Sequence, residues 1–377
     1  MNTEKKIKLL FISRAYPPVL GGIEMQNYGI AKSLSELTET KIIANKHGKK
    51  FLPLFLPWVV LKSLFILSNY DVVLFGDGVL TPLGVFLRFF YPKKKFISII
   101  HGLDITFAYK KSILGKIFRS INIPAQKRMD KLIMVGNETI NQAVKIGIQR
   151  EKCVFIPNGM DVSEKAEPHE RKELEALLNM PLDNKRVIFR GGRFVKHKGV
   201  EWFIRTVMPK LPENYILVAA GGVVARKTVG DENYYPKCLQ AIKGLGLENR
   251  VKLFPNLLES KMRILFNTVD LYISPNIKVP GSMEGFGITA IEGSGCGRVV
   301  LASNLEGLKD AIINGKNGFL VDPGNADAWS KKIKEVLEDD NFRKEFGQKA
   351  QEFVIANFTW KEISRKYLEV IRKVTNN

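Results

Sequence analysis

Residues 284–292, EGFGITAIE, place two glutamates eight positions apart and join them by a glycine-containing loop that runs into an apolar, helix-like pattern. Glycine lets the backbone approach a ligand closely, and the N–H groups at a helix start favour anionic groups. Glu284 would lie in the loop and Glu292 about two turns further along the helix. The two carboxylates would then accept hydrogen bonds from hydroxyl groups at different parts of one long ligand.

A second segment, GGRFVKHKG at residues 191–199, follows a predicted apolar strand and carries two cations five positions apart, Arg193 and Lys198. Its glycines again allow the backbone to approach a ligand. Carboxylates suit sugar hydroxyls, and cations suit a diphosphate group. Together the two segments predict a site for a nucleotide-diphosphate sugar.

With 377 residues the chain is long enough for two domains of ordinary size, each with its own core. Its 45% hydrophobic and 25% charged residues are typical of a folded, soluble globular protein. Three widely spaced cysteines without a CxxC pair argue against a zinc ribbon and a disulfide scaffold, and fit a reducing cytoplasm. The apolar run at residues 9–12 is too short for a signal peptide and is typical of a first strand.

Short apolar strands alternate with helical patterns along the chain, which predicts parallel sheets covered by helices on both faces. The turn-rich segment 157–161, PNGMD, and the charged stretch 163–175 interrupt this alternation, so we place a linker and a domain boundary there. The prediction is an α/β protein with two doubly wound Rossmann-like domains, residues 1–165 and 166–357. Ligands of such domains bind at the carboxyl ends of the strands. Residues 327–373 are predicted to be helical throughout, with one break near 356–359.

The formal net charge of +20 is concentrated in residues 41–131, which hold 16 basic and 4 acidic residues. Such a surface favours a polyanionic partner, with nucleic acid and an anionic membrane as the two candidates. A membrane is favoured, because no helix-turn-helix, RNP-like or zinc-finger pattern accompanies the charge. A lysine-rich composition without any partner is the third interpretation. The basic clusters include Lys49-Lys50, Lys93-Lys94-Lys95, Lys110-Lys111, Lys116 and Arg119.

The apolar run at residues 51–67, FLPLFLPWVVLKSLFIL, contains two prolines and Lys62 and barely reaches the length that spans a bilayer. A strand-like DVVLFG follows it at once, as a helix in a β-α-β unit requires. The run therefore predicts a buried helix. The alternative is an interfacial helix with Trp58 at the level of the lipid headgroups.

Six short motifs occur along the chain in one order: PPVLGGIE at 17–24, HGLD at 101–104, IPNGMD at 156–161, Arg193 with Lys198, the 284–292 segment, and FTW at 358–360 before a last helix. In this order and spacing they resemble family 4 of the glycosyltransferases, the large retaining group with the GT-B fold. The resemblance covers essentially the whole chain. It implies two Rossmann-like domains facing each other across a cleft, with a C-terminal helix, residues 358–377, crossing back to the first domain. The first domain would bind the acceptor and the second the nucleotide sugar.

The resemblance also assigns roles to single residues. Gly21 and Gly22 would let their loop approach the donor diphosphate and the acceptor. His101 would lie beside the transferring sugar, near its 6-hydroxyl. Arg193 and Lys198 would neutralise the diphosphate as it becomes the leaving group.

In the second motif, Glu284 would hold sugar hydroxyls together with the backbone N–H groups that follow it, at Gly285, Phe286 and Gly287. Glu292 would accept hydrogen bonds from the ribose hydroxyls. Because side-chain cations already face the diphosphate and the chain has no convincing DxD motif, we expect neither a metal ion nor another cofactor.

The expected activity is that of a retaining, metal-independent glycosyltransferase that moves a mannose- or glucose-type hexose from a nucleotide-diphosphate sugar such as GDP-mannose. The loop at residues 277–283 looks like that of mannosyltransferases acting on phosphatidylinositol-type lipids. The acceptor would be a membrane-associated lipid or lipid-linked glycan, with the enzyme held at the inner face of the cytoplasmic membrane. Four alternatives stay open: a soluble acceptor, a GT-B sugar-nucleotide epimerase or phosphorylase, a nucleic-acid-binding protein, and a non-catalytic relic.

Overall fold

The computed structural model describes residues 6–19, 21–109, 112–223 and 233–376, so Leu20, Lys110 and Lys111 lie outside the described residues. The chain forms two compact units. Unit 1 comprises the residues up to Gly159 together with those from Trp360 onward, and unit 2 comprises Met160–Thr359. The first passage between the units falls inside the turn-rich segment 157–161.

Unit 1 contains a six-stranded parallel sheet in the order β2-β1-β3-β4-β5-β6. Its central strands are buried on both faces and are continuously apolar, as a covered parallel sheet requires. The strands are β1 (Lys8–Ser13), β2 (Glu39–Ala44), β3 (Val72–Phe75), β4 (Lys95–Ile100), β5 (Lys131–Met134) and β6 (Cys153–Phe155). The helices are α1 (Gly22–Leu37), α2 (Leu52–Ile66), α3 (Thr81–Phe90), α4 (Leu103–Thr106), α5 (Ile113–Lys127) and α6 (Asn137–Lys145).

Unit 2 contains a second six-stranded parallel sheet, in the order β12-β11-β10-β7-β8-β9. The strands are β7 (Arg186–Gly191), β8 (Tyr215–Gly221), β9 (Val251–Pro255), β10 (Leu271–Ser274), β11 (Val300–Ser303) and β12 (Phe319–Val321). The helices are α7 (Val162–Lys165), α8 (Arg171–Leu178), α9 (Val200–Thr206), α10 (Tyr235–Gly244), α11 (Glu259–Thr268), α12 (Ile288–Gly295), α13 (Leu308–Ala311), α14 (Ala326–Leu337) and α15 (Asp340–Phe358).

The last helix, α16 (Trp360–Thr375), belongs to unit 1 and packs against α1. The Trp360 ring fills the space beside Gly29 and Gly159, where an added Cβ would lie 2.2 and 2.5 Å from the ring. Right-handed crossovers put α1 on one face of the sheet and α2, α3 and α5 on the other. The packing agrees, since α3 contacts both α2 and α5.

Two local predictions were wrong. The stretch 163–175 contains most of α7 and most of α8 rather than a plain linker. Helix α8 was not predicted because it is short and highly charged. It nevertheless buries Leu174 and Leu178. The helical tail also breaks at residues 338–339, where the Asp339 side chain accepts the Phe342 N–H at 2.8 Å and starts α15.

The apolar run at 51–67 forms α2, but the prediction of a buried helix was wrong. Its buried positions are Phe55, Val59 and Ser63, while most of the remaining apolar side chains face outward. The segment Lys49–Asn69 has 21 residues and a mean hydropathy of 1.9, and by length and composition it could cross a membrane. Only 22% of its apolar window is buried, whereas the core helix of a soluble protein would be mostly buried. Because β2 and β3, the strands at its two ends, both pair with β1, the segment is a crossover lying on the sheet.

Candidate functional site

The strand order of unit 2 places a topological switch point between β7 and β10, because the chain proceeds from these two strands in opposite directions across the sheet. Ligands of doubly wound sheets bind at the carboxyl ends of the strands at such a point. The loops that follow β7 and β10 carry Lys198 and Glu284, and their side chains form an ion pair there. The structure therefore brings these two predicted site residues together.

Glu284 is held as an anion. Burial is the largest influence and acts to raise its pKa, but the Lys198 ammonium, His197 and side-chain hydrogen bonds together outweigh burial and bring the pKa to about 2. The Asn276 side-chain amide donates to Glu284 Oε2 at 3.0 Å and adds to this effect. Burial lowers the pKa of Lys198 despite the neighbouring carboxylate. The pair thus places an ionised acceptor beside a largely buried ammonium.

The backbone of Glu284 is fixed by a segment that the sequence analysis did not assign to the site. Glu306 Oε2 accepts the Glu284 N–H at 2.7 Å, and the Gly307 N–H donates to the Glu284 carbonyl at 3.2 Å. A Cβ on Gly307 would lie 2.3 Å from the Gly285 carbonyl oxygen. Because the two chain segments touch, residues 306 and 307 determine where the 284–287 loop can lie.

The remaining residues of the loop, 285–287, lead directly into α12. Gly287 adopts φ +102 as the residue before the helix, a conformation that favours glycine. The Phe286 side chain is 2% exposed and packs against Phe358, so its backbone alone can face a ligand. The loop therefore leads into the start of α12 with a buried Phe286 ring and a glycine in the left-handed region, and the role of its N–H groups stays a prediction.

A buried arginine, Arg190, supports the other loop. Its Nη1 donates to the carbonyl oxygens of Gly192 and Arg193, the latter at 3.2 Å, and it is 2% exposed. Burial lowers the pKa of Arg190, but a guanidinium keeps its proton at neutral pH. The Arg193 side chain is exposed. Arg190, Arg193 and Lys198 thus place three cations near one anion, which favours an anionic ligand. Sequence reasoning treated Arg190 as an ordinary strand residue.

Glu292 lies on α12, and its side chain is 15% exposed. Its Oε1 lies 3.6 Å from Lys165 Nζ, and Lys165 also forms an ion pair with Glu259. Burial raises the pKa of Glu292, and the Lys165 ammonium offsets part of that rise. The second glutamate of the motif therefore has a cationic partner of its own.

In unit 1, Gly21 and Gly22 form the start of α1, where the Gly21 carbonyl accepts the Met25 N–H at 3.1 Å. His101 follows β4. Its Nε2 lies 2.9 Å from the Gly76 carbonyl oxygen, and because a carbonyl can only accept, this nitrogen carries a proton. The His101 backbone N–H donates to Asp104 Oδ2 at 2.9 Å, so the aspartate of HGLD fixes the turn that carries the histidine.

Unit 1 has its own switch point, between β1 and β3, and an ion pair also bridges the loops there. Arg14 Nε lies 3.0 Å from Asp77, and Asp77 is fully buried. Burial raises the pKa of Asp77 although Arg14 acts to lower it. The sequence analysis did not place Asp77 in the candidate site. Its position directly after a buried strand was the signal that could have marked it.

Two family models match the chain: Glycosyltransferase Family 4 over residues 14–164 and Glycosyl transferases group 1 over residues 178–353. The chain is a family 4 glycosyltransferase. The resemblance inferred from the motifs is confirmed, and so is the assignment as a transferase enzyme. The first match covers most of unit 1 and ends at residue 164, just inside unit 2, and the second lies within unit 2.

Named relatives and solved structures agree. An uncharacterised glycosyltransferase of Methanocaldococcus jannaschii is 23% identical over 99% of this chain and all of its own. The N,N'-diacetylbacillosaminyl-diphospho-undecaprenol alpha-1,3-N-acetylgalactosaminyltransferase of Campylobacter jejuni is 24% identical over 85% of this chain and 83% of its own. Anabaena HepE in complex with UDP and glucose superposes with a TM-score of 0.76, at 20% identity, over 97% of this chain and all of that one. The predicted GT-B fold of two Rossmann-like domains is confirmed.

We expect the turn before α9 to be essential for the position of Lys198. Gly199 has φ +72, and a Cβ there would lie 1.8 Å from the Pro275 carbonyl oxygen. Gly199→Ala should lower the free energy of unfolding by about 1–2 kcal/mol for the left-handed backbone and roughly 1–3 kcal/mol more for the clash. Gly246→Ala is the matched control, since Gly246 has φ +63 with nothing within 4 Å of an added Cβ. Urea unfolding that gives equal losses in the two variants would contradict the close packing of Gly199.

Proposed function

We propose that this glycosyltransferase moves a hexose of mannose or glucose type from a nucleotide-diphosphate sugar to a membrane-associated lipid or lipid-linked glycan, with retention of the anomeric configuration. The observation that carries the donor half is the Lys198–Glu284 ion pair at the switch point of unit 2, with Arg190 and Arg193 beside it. UDP in complexes of the similar Anabaena HepE supports a nucleotide-sugar donor.

In this proposal, Lys198 retains its ion pair with Glu284 while it also binds the diphosphate. An ammonium has three donors, so one can stay on Glu284 while the others bind phosphate oxygens. Glu284 has a second carboxylate oxygen that accepts from sugar hydroxyls. The two charges hold the two ends of the scissile bond, one at the phosphate and one at the sugar.

The reaction breaks the bond between the anomeric carbon and the phosphate oxygen, and the acceptor hydroxyl oxygen forms the new bond on the same face of the sugar. The hydroxyl proton passes to the departing phosphate oxygen, which leaves as nucleoside diphosphate. Negative charge grows on that oxygen, and preorganised cations stabilise it most in a site that excludes water. Arg193, Lys198 and the N–H groups of residues 285–287 supply this stabilisation, so the proposed reaction needs no metal ion.

His101 and the glycine loop form the part of the proposal that lies in unit 1. The proton on His101 Nε2 is engaged by Gly76, so the opposite edge of the ring is the part that can meet a sugar hydroxyl. Gly21 and Gly22 lie at the start of α1, where backbone N–H groups favour a phosphate, and the Glu24 carboxylate beside Gly21 has to move for one to bind. A lipid-linked acceptor is supported by the name of the Campylobacter jejuni relative, whose acceptor is a diphospho-undecaprenol-linked sugar.

The test is a panel of GDP-mannose, UDP-glucose, UDP-galactose and UDP-N-acetylglucosamine in thermal unfolding. The true donor should stabilise the protein by about 2.7 kcal/mol at a concentration of 100 Kd, because ligand binding shifts the unfolding equilibrium. That donor should then yield free nucleoside diphosphate when membrane lipids are added, with or without a chelator. A strict requirement for Mg²⁺ or Mn²⁺ would contradict metal independence, and transfer to a soluble sugar without lipid would favour the soluble acceptor.

A further inference from the structure

Helix α2 carries apolar residues on two faces. Phe55, Val59 and Ser63 face the core at a spacing of four residues. Leu54, Trp58, Leu61 and Phe65 recur at i, i+4, i+7 and i+11, which places them together on another side of the helix. They are 71, 48, 59 and 82% exposed. On a solvent-facing surface this second stripe would normally be polar.

Helix α5 buries polar as well as apolar residues, Ile123 and Ala125 among the latter. It buries the amides of Asn122 and Gln126 and exposes four aliphatic side chains. Helix α3, which packs between α2 and α5, exposes three phenylalanines. The exposed residues of these two helices are Ile113, Leu114, Ile117, Ile121, Phe86, Phe89 and Phe90.

We name the outer surface of α2, α3 and α5 the apolar face. Of the twenty-three large hydrophobic side chains that are exposed in the described part of the chain, twelve lie on these three helices. Contiguous exposed apolar surface marks an interaction site, whereas single exposed hydrophobic residues do not. The three helices lie on one face of the sheet of unit 1, so their side chains form one surface.

The charged residues on the three helices themselves have a single sign, although Arg88 forms an ion pair with Asp130 next to α5. None of the three helices contains an aspartate or glutamate, and Lys62, Arg88, Lys116, Arg119 and Lys127 are their charged residues. Lys62 Nζ lies 4.5 Å from the centre of the Trp58 ring. A bilayer presents apolar chains beneath anionic headgroups, so it matches both the apolar side chains and the cations around them.

Not every lysine that the sequence marked belongs to this surface. Lys94 Nζ donates to the carbonyl oxygens of Ser68 and Tyr70, at 2.9 and 2.5 Å. These bonds hold the segment between α2 and β3 against the start of β4. Lys116 and Arg119 are exposed on α5, in line with its aliphatic residues. The Lys94 ammonium is therefore held by backbone carbonyl groups, whereas Lys116 and Arg119 are exposed.

We propose that the apolar face of unit 1 inserts its aromatic and aliphatic side chains into the interface of an anionic bilayer, with Lys116 and Arg119 at the level of the headgroups. This inference rests on the proposed function in one respect: the proposed acceptor is a lipid, which the enzyme reaches at the bilayer surface. Insertion differs from surface attraction alone, because salt screens charges over about 8 Å at physiological ionic strength but leaves apolar burial in place.

Sedimentation with vesicles tests the proposal. The protein should bind vesicles that contain an anionic phospholipid, and part of that binding should persist in about 1 M salt, where the screening length falls to about 3 Å. The variant Leu61→Glu/Phe65→Glu should bind roughly ten- to a hundredfold more weakly. Leu258→Glu/Ile355→Glu is the matched control, because these side chains are 68 and 47% exposed in unit 2, and it should bind like wild type.

Tryptophan fluorescence of the wild type provides a measurement that does not depend on the variant folding. Brominated lipids should quench the emission of Trp58, and Trp58→Phe should remove that quenching. Wild-type protein that stays in the supernatant with anionic vesicles at low salt overturns the proposal. A concentration-dependent dimer that the Leu61/Phe65 variant abolishes, without vesicle binding, also overturns it in favour of a second copy of the chain.

The outcome is separable from that of the proposed function. Stabilisation by a nucleotide sugar reports on unit 2 and needs no lipid, so the Leu61/Phe65 variant should keep it unchanged. Loss of vesicle binding with donor binding retained supports the apolar face as a docking surface. Failure of every nucleotide sugar to stabilise wild type would overturn the donor assignment. Vesicle binding by the same protein would still support the apolar face as a docking surface, and its absence would overturn it.

Discussion

Replacing Lys198 by alanine is expected to lower turnover by roughly 10²–10³, and Arg193→Ala should act in the same direction. Each change removes a preorganised cation from the phosphate oxygen that gains charge as the donor bond breaks. The matched control is Lys196→Ala, on the same helical turn as Lys198 but exposed. Release of nucleoside diphosphate, followed under saturating donor, measures the effect.

Lys198→Ala has a second consequence that must be separated from the first. It leaves the Glu284 carboxylate buried without its ammonium, and breaking such a pair costs about 3–5 kcal/mol of stability. Adding Glu284→Gln removes that charge and should restore much of the free energy of unfolding without restoring turnover. Arg193 is exposed, so its variant should lose less stability than Lys198→Ala does. Wild-type turnover in both single variants would refute the diphosphate assignment.

Glu292→Gln is expected to weaken nucleoside diphosphate binding by about 1.5–3 kcal/mol, roughly a factor of 10 to 150 in Kd. The variant loses the charge that accepts the ribose hydroxyls but keeps the shape of the side chain. Glu259→Gln is the matched control, because Glu259 is the other carboxylate paired with Lys165 and is 59% exposed. Isothermal titration of nucleoside diphosphate makes the comparison.

The same residue predicts a pH dependence. Burial raises the pKa of Glu292, so it takes up its proton at a higher pH than an exposed glutamate does. Affinity that depends on the ionised carboxylate should fall as the pH drops through this raised pKa, and the Glu292→Gln variant should lack that part of the fall. Equal affinity in variant and wild type at neutral pH would make Glu292 a structural residue of α12.

The strands were predictable because each central strand of a covered parallel sheet is a continuous apolar run, as in Lys8–Ser13 and Lys95–Ile100. The environment of α2 was not, since an almost wholly apolar helix gives no sign in its sequence of which side remains uncovered. The glycine and charge patterns identified Arg193, Lys198, Glu284 and Glu292 as candidates, and their roles stay predictions.

Other features of the candidate site depend on topology. The partners Lys198 and Glu284 are 86 residues apart, and Arg14 and Asp77 are 63 apart, so only the strand order brings each pair to one switch point. Arg190 occupies a strand position where an apolar residue is usual, and its contacts with the following turn appear only in the fold. Glu306 reaches Glu284 in the same way, from a loop that the sequence analysis had not placed there.

Because α16 belongs to unit 1, the ribosome synthesises unit 1 in two parts, one before and one after unit 2. Unit 2 is a continuous insertion between Gly159 and Trp360, and its two ends meet where the Met160 N–H donates to the Phe358 carbonyl at 2.8 Å. During synthesis the insertion is therefore complete while the α1 side of unit 1 still lacks Trp360 and the helix that follows. We therefore expect unit 1 to finish folding after unit 2, because the α1 side of unit 1 stays uncovered until residues 360–375 have been synthesised.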